Sequence, residues 1–234
     1  MSVYRSRKSI ATFVSCVFMV ATTFIASATR AEDENSAPRT ADLGQGYTRE
    51  GEFILFEGKR IDQEGKEDIG RFSKAVGRQL TLCHEVDANS FQVLSEEYTK
   101  DTNKVYYKWI SPGRFWVVEL AEADVASFEV LGFNLARDKK QVWWYGAVQP
   151  GVDAATVKLV RDGFVWKDAQ SVWYQQQRIV GADPRTFQHL GSAYYGDAER
   201  IYWGPDPIDG ADLATFKVLG DSFIAVDRNM VYLS

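Results

Sequence analysis

Histidine and cysteine are scarce in this 234-residue chain, which has two of each. Two histidines leave little with which to ligate a transition metal or activate a nucleophile. His84 follows Cys83, but neighbouring strand residues face opposite ways, so the two do not read as a catalytic pair. His189 stands beside Leu190 and reads as a surface or satisfied histidine. There is no Gly-x-Ser-x-Gly, no His-Glu-x-x-His and no phosphate-binding loop. Glu96-Glu97 and Glu50 with Glu52 are carboxylate pairs of the kind found on a solvated face. Calcium calls for roughly six to eight oxygens around one point. One Asp per turn, followed by Lys104 or by Lys139-Lys140, does not supply them. The expectation is a chain with no catalytic residue, no metal and no cofactor, and hence not an enzyme. Positive charge is also short, at a formal net charge of −5. That excludes nucleic acid or an anionic membrane surface as the main partner, since both need clustered cations.

The basic residues that exist are partly spent at the start. Arg5, Arg7 and Lys8 precede a mostly apolar run from residue 10 to about residue 25. Ala26-Ser27-Ala28 and Thr29-Arg30-Ala31 are both small-residue cleavage patterns. Residues 1–31 are therefore expected to be a cleavable signal peptide, ending at Ala28 or Ala31. The run is marginal for a membrane span and is diluted by Thr and Ser, so no stable insertion is expected after cleavage. Cys16 lies inside the run behind Phe13-Val14-Ser15, a poor lipid-attachment setting. Loss of this segment lowers the 27 basic residues to 23 against 32 acids, a net charge of −9. It also leaves Cys83 alone, so no intrachain disulfide forms. Stability must then come from a hydrophobic core, for which about 200 residues suffice. The expected location is periplasmic or secreted.

What the chain has instead is repetition. A first Asp recurs as Asp87, Asp124, Asp153, Asp183 and Asp212, at intervals of 37, 29, 30 and 29 residues. Four residues on stand Phe91, Phe128, Val157, Phe187 and Phe216, and three beyond them Leu94, Leu131, Val160, Leu190 and Leu219. A second Asp follows as Asp101, Asp138, Asp168, Asp197 and Asp227. After it come the pairs Tyr106-Tyr107, Trp143-Trp144, Trp173-Tyr174, Tyr202-Trp203 and Tyr232-Leu233. Internal repetition of this kind outranks other sequence signals. Before it lies a polar leader at 32–45, then a degenerate leading unit at 46–86, with five full units over 87–234. The leading unit has a strand and turn at Phe53-Ile54-Leu55-Phe56 and Glu57-Gly58-Lys59. Asp68 with Phe72 and the strand Leu80-Thr81-Leu82-Cys83 complete it.

The spacing within a unit predicts a two-turn helix and then a β-hairpin. The first Asp serves as helix N-cap, with Pro184 at the first helical position and Gly132, Gly191 and Gly220 just past the end. The second Asp opens the hairpin turn by bonding its own backbone. The fold class expected is thus α+β: a repeat domain of short helix plus hairpin. Whether the hairpins form an open solenoid or one sheet stays open.

Strand alternation then sorts the pairs by face. Tyr107, Trp144, Tyr174, Trp203 and Leu233 share an apolar face meant for the helices. Tyr106, Trp143, Trp173, Tyr202 and Tyr232 lie on the other face, beside mostly polar neighbours. Exposed, these five rings form a candidate binding surface for sugar rings or for a partner's apolar patch. Covered by neighbouring hairpins, they simply hold the sheet together, and a motif repeated in every unit more often serves folding.

With Lys100-Asp101-Thr102-Asn103-Lys104-Val105-Tyr106-Tyr107 and Gly181-Ala182-Asp183-Pro184-Arg185-Thr186-Phe187-Gln188-His189-Leu190-Gly191, the chain resembles the bacterial DKNYY repeat family over about residues 84–234. Trp replaces Tyr in several pairs, Val157 replaces the aromatic in the third unit and Leu233 replaces it in the last. The resemblance implies a bacterial, often exported repeat protein and carries no established activity or site residues. The function expected is a non-enzymatic protein-interaction or scaffold module of the cell envelope, partnered by an envelope protein. The alternative is a glycan- or peptidoglycan-binding module using the aromatic row. An unfamiliar hydrolase stands well behind both.

Overall fold

The computed structural model describes residues 40–161, 164–220 and 223–233. The expected signal peptide and the first part of the expected leader lie outside these residues. What is described is built almost wholly of short antiparallel strands in six sheets. The leading sheet is a meander of Thr40–Gly44, Tyr47–Glu50, Phe53–Phe56 and Lys59–Arg60. Thr40–Gly44 pairs with Tyr47–Glu50, so the end of the expected leader is a strand.

Each repeat unit adds one sheet. The first has Gln92–Val93, Tyr98–Lys100, Val105–Ser111 and Arg114–Glu119. The second has Glu129–Gly132, Leu135–Arg137, Val142–Trp144 and Ala147–Val148. The third has Lys158–Arg161, Val165–Lys167, Val172–Tyr174 and Gln177–Arg178. The fourth has Gln188–Gly191, Tyr194–Gly196, Ile201–Trp203 and Asp206–Pro207. The fifth has Lys217–Val218, Ala225–Val226 and Val231–Tyr232. The central two strands of each unit are the hairpin around the second Asp.

The α+β expectation is overturned. The segments taken for helices are a single turn followed by a strand. In the second unit Ser127 N–H donates to Asp124 O at 3.2 Å, which closes one turn. Glu129 and Val130 then pair with Arg137 and Ala136. The reason is local competition. A two-turn helix is unstable alone, whereas an extended chain here gains ladder hydrogen bonds from the adjacent hairpin. An apolar pair three residues apart fits a turn exit followed by a strand as well as it fits a helix face. Gly132 and Gly191, read as helix caps, sit instead at strand bulges. Among the described residues the one helix is Ile69–Ala75, in the leading unit.

Strands of two to four residues do not hold a sheet by themselves. Stability comes from packing sheet on sheet, and alternation gives the first four repeat sheets an apolar residue set on each face. Tyr47 and Phe56 of the leading sheet share a core with Phe91, Tyr106, Phe115 and Val117 of the first. Tyr98, Val105, Tyr107 and Trp116 face Phe128 and Trp143. Leu135, Val142 and Trp144 face Val157, Trp166 and Trp173. Val165 and Val172 face Phe187, Tyr195 and Tyr202. Tyr194 and Ile201 face Ala225, Phe216 and Tyr232. Each buried ring removes roughly 150–250 Å² from water, worth about 4–6 kcal/mol before entropy is counted.

Candidate binding groove

Four of the five rings of the expected binding surface are interior, and the fifth is half-covered. Tyr106 and Tyr202 are 0% exposed, Trp143 2% and Trp173 8%, and Tyr232 is half-buried. The row does not face solvent, because the preceding sheet covers that face. The polar neighbours that suggested solvent do not lie in the same environment: Lys104 pairs with Glu119 at 2.8 Å at the sheet margin. A continuous platform for sugar rings through Tyr106, Trp143, Trp173 and Tyr202 is therefore excluded.

Antiparallel meanders place their turns alternately at two ends of the sheet. One end holds both Asp residues of each unit. The second Asp accepts, through Oδ1, the N–H groups two and three residues on, as Asp197 does from Glu199 and Arg200, both at 2.8 Å. Its Oδ2 accepts the backbone N–H of the first Asp in all five units, at 2.7–3.0 Å. Where the first ring of the pair is Tyr, its hydroxyl donates to the same oxygen: Tyr106 at 2.7 Å, Tyr202 at 2.8 Å and Tyr232 at 2.6 Å. Trp143 and Trp173 have no such donor in reach, and Trp173 stacks on Trp166 at 4.6 Å instead. Three residues after each first Asp stands a Ser or Thr whose hydroxyl donates to that Asp. The same oxygen accepts the N–H of the residue after the second Asp.

These Asp residues are spent on backbone donors. Burial alone would raise the Asp197 pKa, but the N–H groups of Asp183, Glu199 and Arg200 and the Tyr202 hydroxyl outweigh it and hold the carboxyl below its usual range. Asp227 is lowered in the same way, first by the Asp212 N–H and then by Tyr232. Burial and the Asp101 bond push the Tyr106 hydroxyl up. Among the described residues no group of three or more His, Cys, Asp or Glu is arranged to hold a metal ion. Cys83 is buried and bonds Ile61 O at 3.1 Å, with burial raising its pKa. His84 pairs with Glu119 at 3.0 Å, and His189, on a strand, meets Ser192 O at 2.8 Å.

The opposite end of the sheets is different. There a groove of about 590 Å³ is lined by Trp109, Trp144, Tyr145, Phe164, Tyr174, Gln175, Gln176, Gln177 and Pro205. No carboxylate, amine or imidazole lines it. Tyr145 reaches this position through a left-handed backbone at φ 50°, which a bulky residue adopts at a cost. The ring is braced by Trp144 at 5.0 Å and Phe133 at 6.4 Å. Trp109 is held from behind by Phe72 of the helix at 5.6 Å and by the Arg78 guanidinium at 5.5 Å. Arg78 also donates to Tyr145 O at 3.1 Å, linking the two walls. Phe164, 44% exposed, stacks on Tyr174 at 6.5 Å and 24°. Gln175, Gln176 and Gln177 are exposed and supply amide donors and acceptors along the rim. Periodicity did not mark these positions, since the equivalent Asn134, Phe164, Ala193 and Phe223 carry a ring in only two of four units.

The model of the DKNYY family matches residues 84–204, more than half of the chain, and the protein belongs to that family. No curated protein and no solved structure matches.

Proposed function

We propose that this DKNYY family member is a non-enzymatic binding protein whose groove between Trp109 and Pro205 takes a neutral glycan chain. The observation behind this reading is the lining: aromatic rings beside three consecutive glutamines, without a carboxylate, amine or imidazole. Ring faces stack on the apolar faces of sugars, and amides serve the hydroxyls at their edges. A groove rather than a closed cavity suits a polymer. The signal-like residues 1–31 support work outside the cytoplasm, in or beyond the envelope, where such chains occur. The Asp network supports the non-enzymatic part, because its oxygens are engaged by backbone donors.

Tryptophan fluorescence of the protein, titrated with neutral polysaccharides and with peptidoglycan fragments, tests the reading. Trp109 and Trp144 are the reporters. A saturable shift that Tyr174→Ala weakens at least tenfold, while the variant stays folded, is the expected result. No shift with any glycan, together with an envelope protein that binds the parent and not the Tyr174→Ala variant, would favour the scaffold reading instead.

A further inference from the structure

Three corners at the aromatic end are equivalent. Each is closed by the N–H of Tyr145, Gln175 or Gly204 donating to the carbonyl of Asn134, Phe164 or Ala193, at 2.6–3.0 Å. They differ in what holds the corner's own carbonyl. Arg78 Nη2 donates to Tyr145 O at 3.1 Å, across 67 residues of sequence. Among the described residues no side chain donates to Gln175 O or Gly204 O. The turn therefore closes without an arginine, and Arg78 answers to something found at the first corner only.

That corner is the one of the three that carries a ring. The Tyr145 ring meets Trp109 at 6.4 Å and 38°. Its backbone is left-handed at φ 50°, a conformation that a bulky residue keeps only under outside support. The Asn134 carbonyl holds its N–H, the Tyr98 hydroxyl holds the next N–H, of Gly146, at 3.2 Å, and Arg78 holds its carbonyl. The same guanidinium lies over the Trp109 ring at 5.5 Å. Phe72 meets that ring at 5.6 Å and is itself stacked on Trp116 at 4.1 Å. One half-buried side chain thus ties both rings of the groove's first wall. A planar guanidinium faces an indole and donates in its own plane at once, which a lysine ammonium does not. Arg78 and Phe72 belong to the leading unit, ahead of the residues 84–204 matched to the family.

We propose that Arg78 is a positioning residue of the groove: it sets Trp109 and Tyr145 at their mutual angle before a ligand arrives, and so makes the leading unit part of the binding site. The proposal rests on the reading of the groove as a binding site. A wall fixed in advance spares the ligand the cost of ordering two rings.

Fluorine NMR of the full chain labelled with 5-fluorotryptophan, for the parent, Arg78→Ala and Arg78→Lys, tests it beside the glycan titration. Circular dichroism melting checks that the variants stay folded. In both variants the Trp109 resonance should move and broaden, while those of Trp166 and Trp173 in the third sheet keep their places. Glycan affinity should fall about tenfold, and Arg78→Lys, which keeps the charge, should fare no better than Arg78→Ala. A Trp109 resonance indifferent to both changes would overturn the proposal. So would a Trp109 shift at unchanged glycan affinity. So would movement of Trp166 and Trp173 together with Trp109, since Arg78 would then support the fold at large. A parent that binds no glycan, in which Arg78→Ala still moves Trp109 and neither control, would remove the ligand assignment and keep the brace.

Discussion

The two ends of each sheet obey different rules. At the Asp end, five units repeat one bonding pattern without exception: second Asp to first Asp N–H, first Asp to Ser or Thr, and that hydroxyl to the turn. At the aromatic end the residues vary, from Tyr145 to Gln175 to Gly204 at corresponding corners and from Asn134 to Phe164 to Ala193 opposite them. A buried carboxylate that satisfies several backbone donors leaves no freedom to vary, because each lost bond orphans a partner. Rings at a turn tip carry no such duty. The constant end holds the fold, and the variable end is free to differ from unit to unit, as the proposed binding role requires.

Substitutions separate the two roles. Phe187, buried between Tyr195 and Tyr202, should cost roughly 3–5 kcal/mol when cut to Ala, read as a lowered urea midpoint. Asp197→Ala should cost about 3 kcal/mol, since it leaves three backbone N–H groups and the Tyr202 hydroxyl without their charged acceptor. Tyr202→Phe removes one of those bonds and should cost about 1–2 kcal/mol. Asp183→Ala should cost only about 1 kcal/mol, as loss of a turn cap does. None of these changes should alter glycan affinity while the protein is folded. Tyr174→Ala should do the reverse, with a stability change within about 1 kcal/mol and loss of binding. A variant at the Asp end that abolished binding without unfolding would break the division.

Acid sharpens the same contrast. Asp197 and Asp227 have folded pKa values below the ordinary 3.8. The unfolded chain therefore takes up protons first as pH falls. Their contribution to stability is whole above about pH 5 and declines as pH drops through 3.8 toward the folded values. Asp124, lowered to about 2 by Lys139 and Ser127, adds to the same window. The groove lining has no carboxylate, so glycan affinity should stay level from pH 8 to the onset of unfolding. Parallel denaturation and binding curves at stepped pH check this.

Much of the architecture was legible in the residues. The repeat period, the hairpin strands and the Asp turn follow from strict spacing and from alternation around Val105, Val142 and Val172. The helix did not follow, because Phe128 and Leu131 three apart serve a turn and a strand equally well. The signal that separates these was present as Ser90, Ser127, Thr156, Thr186 and Thr215. A hydroxyl at that offset, accepting from the turn 12 or 13 residues away, belongs to a closed turn. The burial of Tyr106 and Trp143 was not legible from one unit alone, since alternation says which residues share a face and not what covers it. The groove was hidden for the opposite reason: its residues come from irregular turns of successive units.

The sharpest test of a stack with sealed inner rings and an open outer groove is fluorine NMR of protein labelled with 5-fluorotryptophan. The seven tryptophans are assigned by single Trp→Phe changes, and the solvent isotope shift of each is measured in H2O and D2O. The account predicts no shift for Trp143 and Trp173, a clear one for Trp109, and movement of Trp109 alone among these three on adding glycan. A solvent shift at Trp143 or Trp173, or a shielded Trp109, would contradict it.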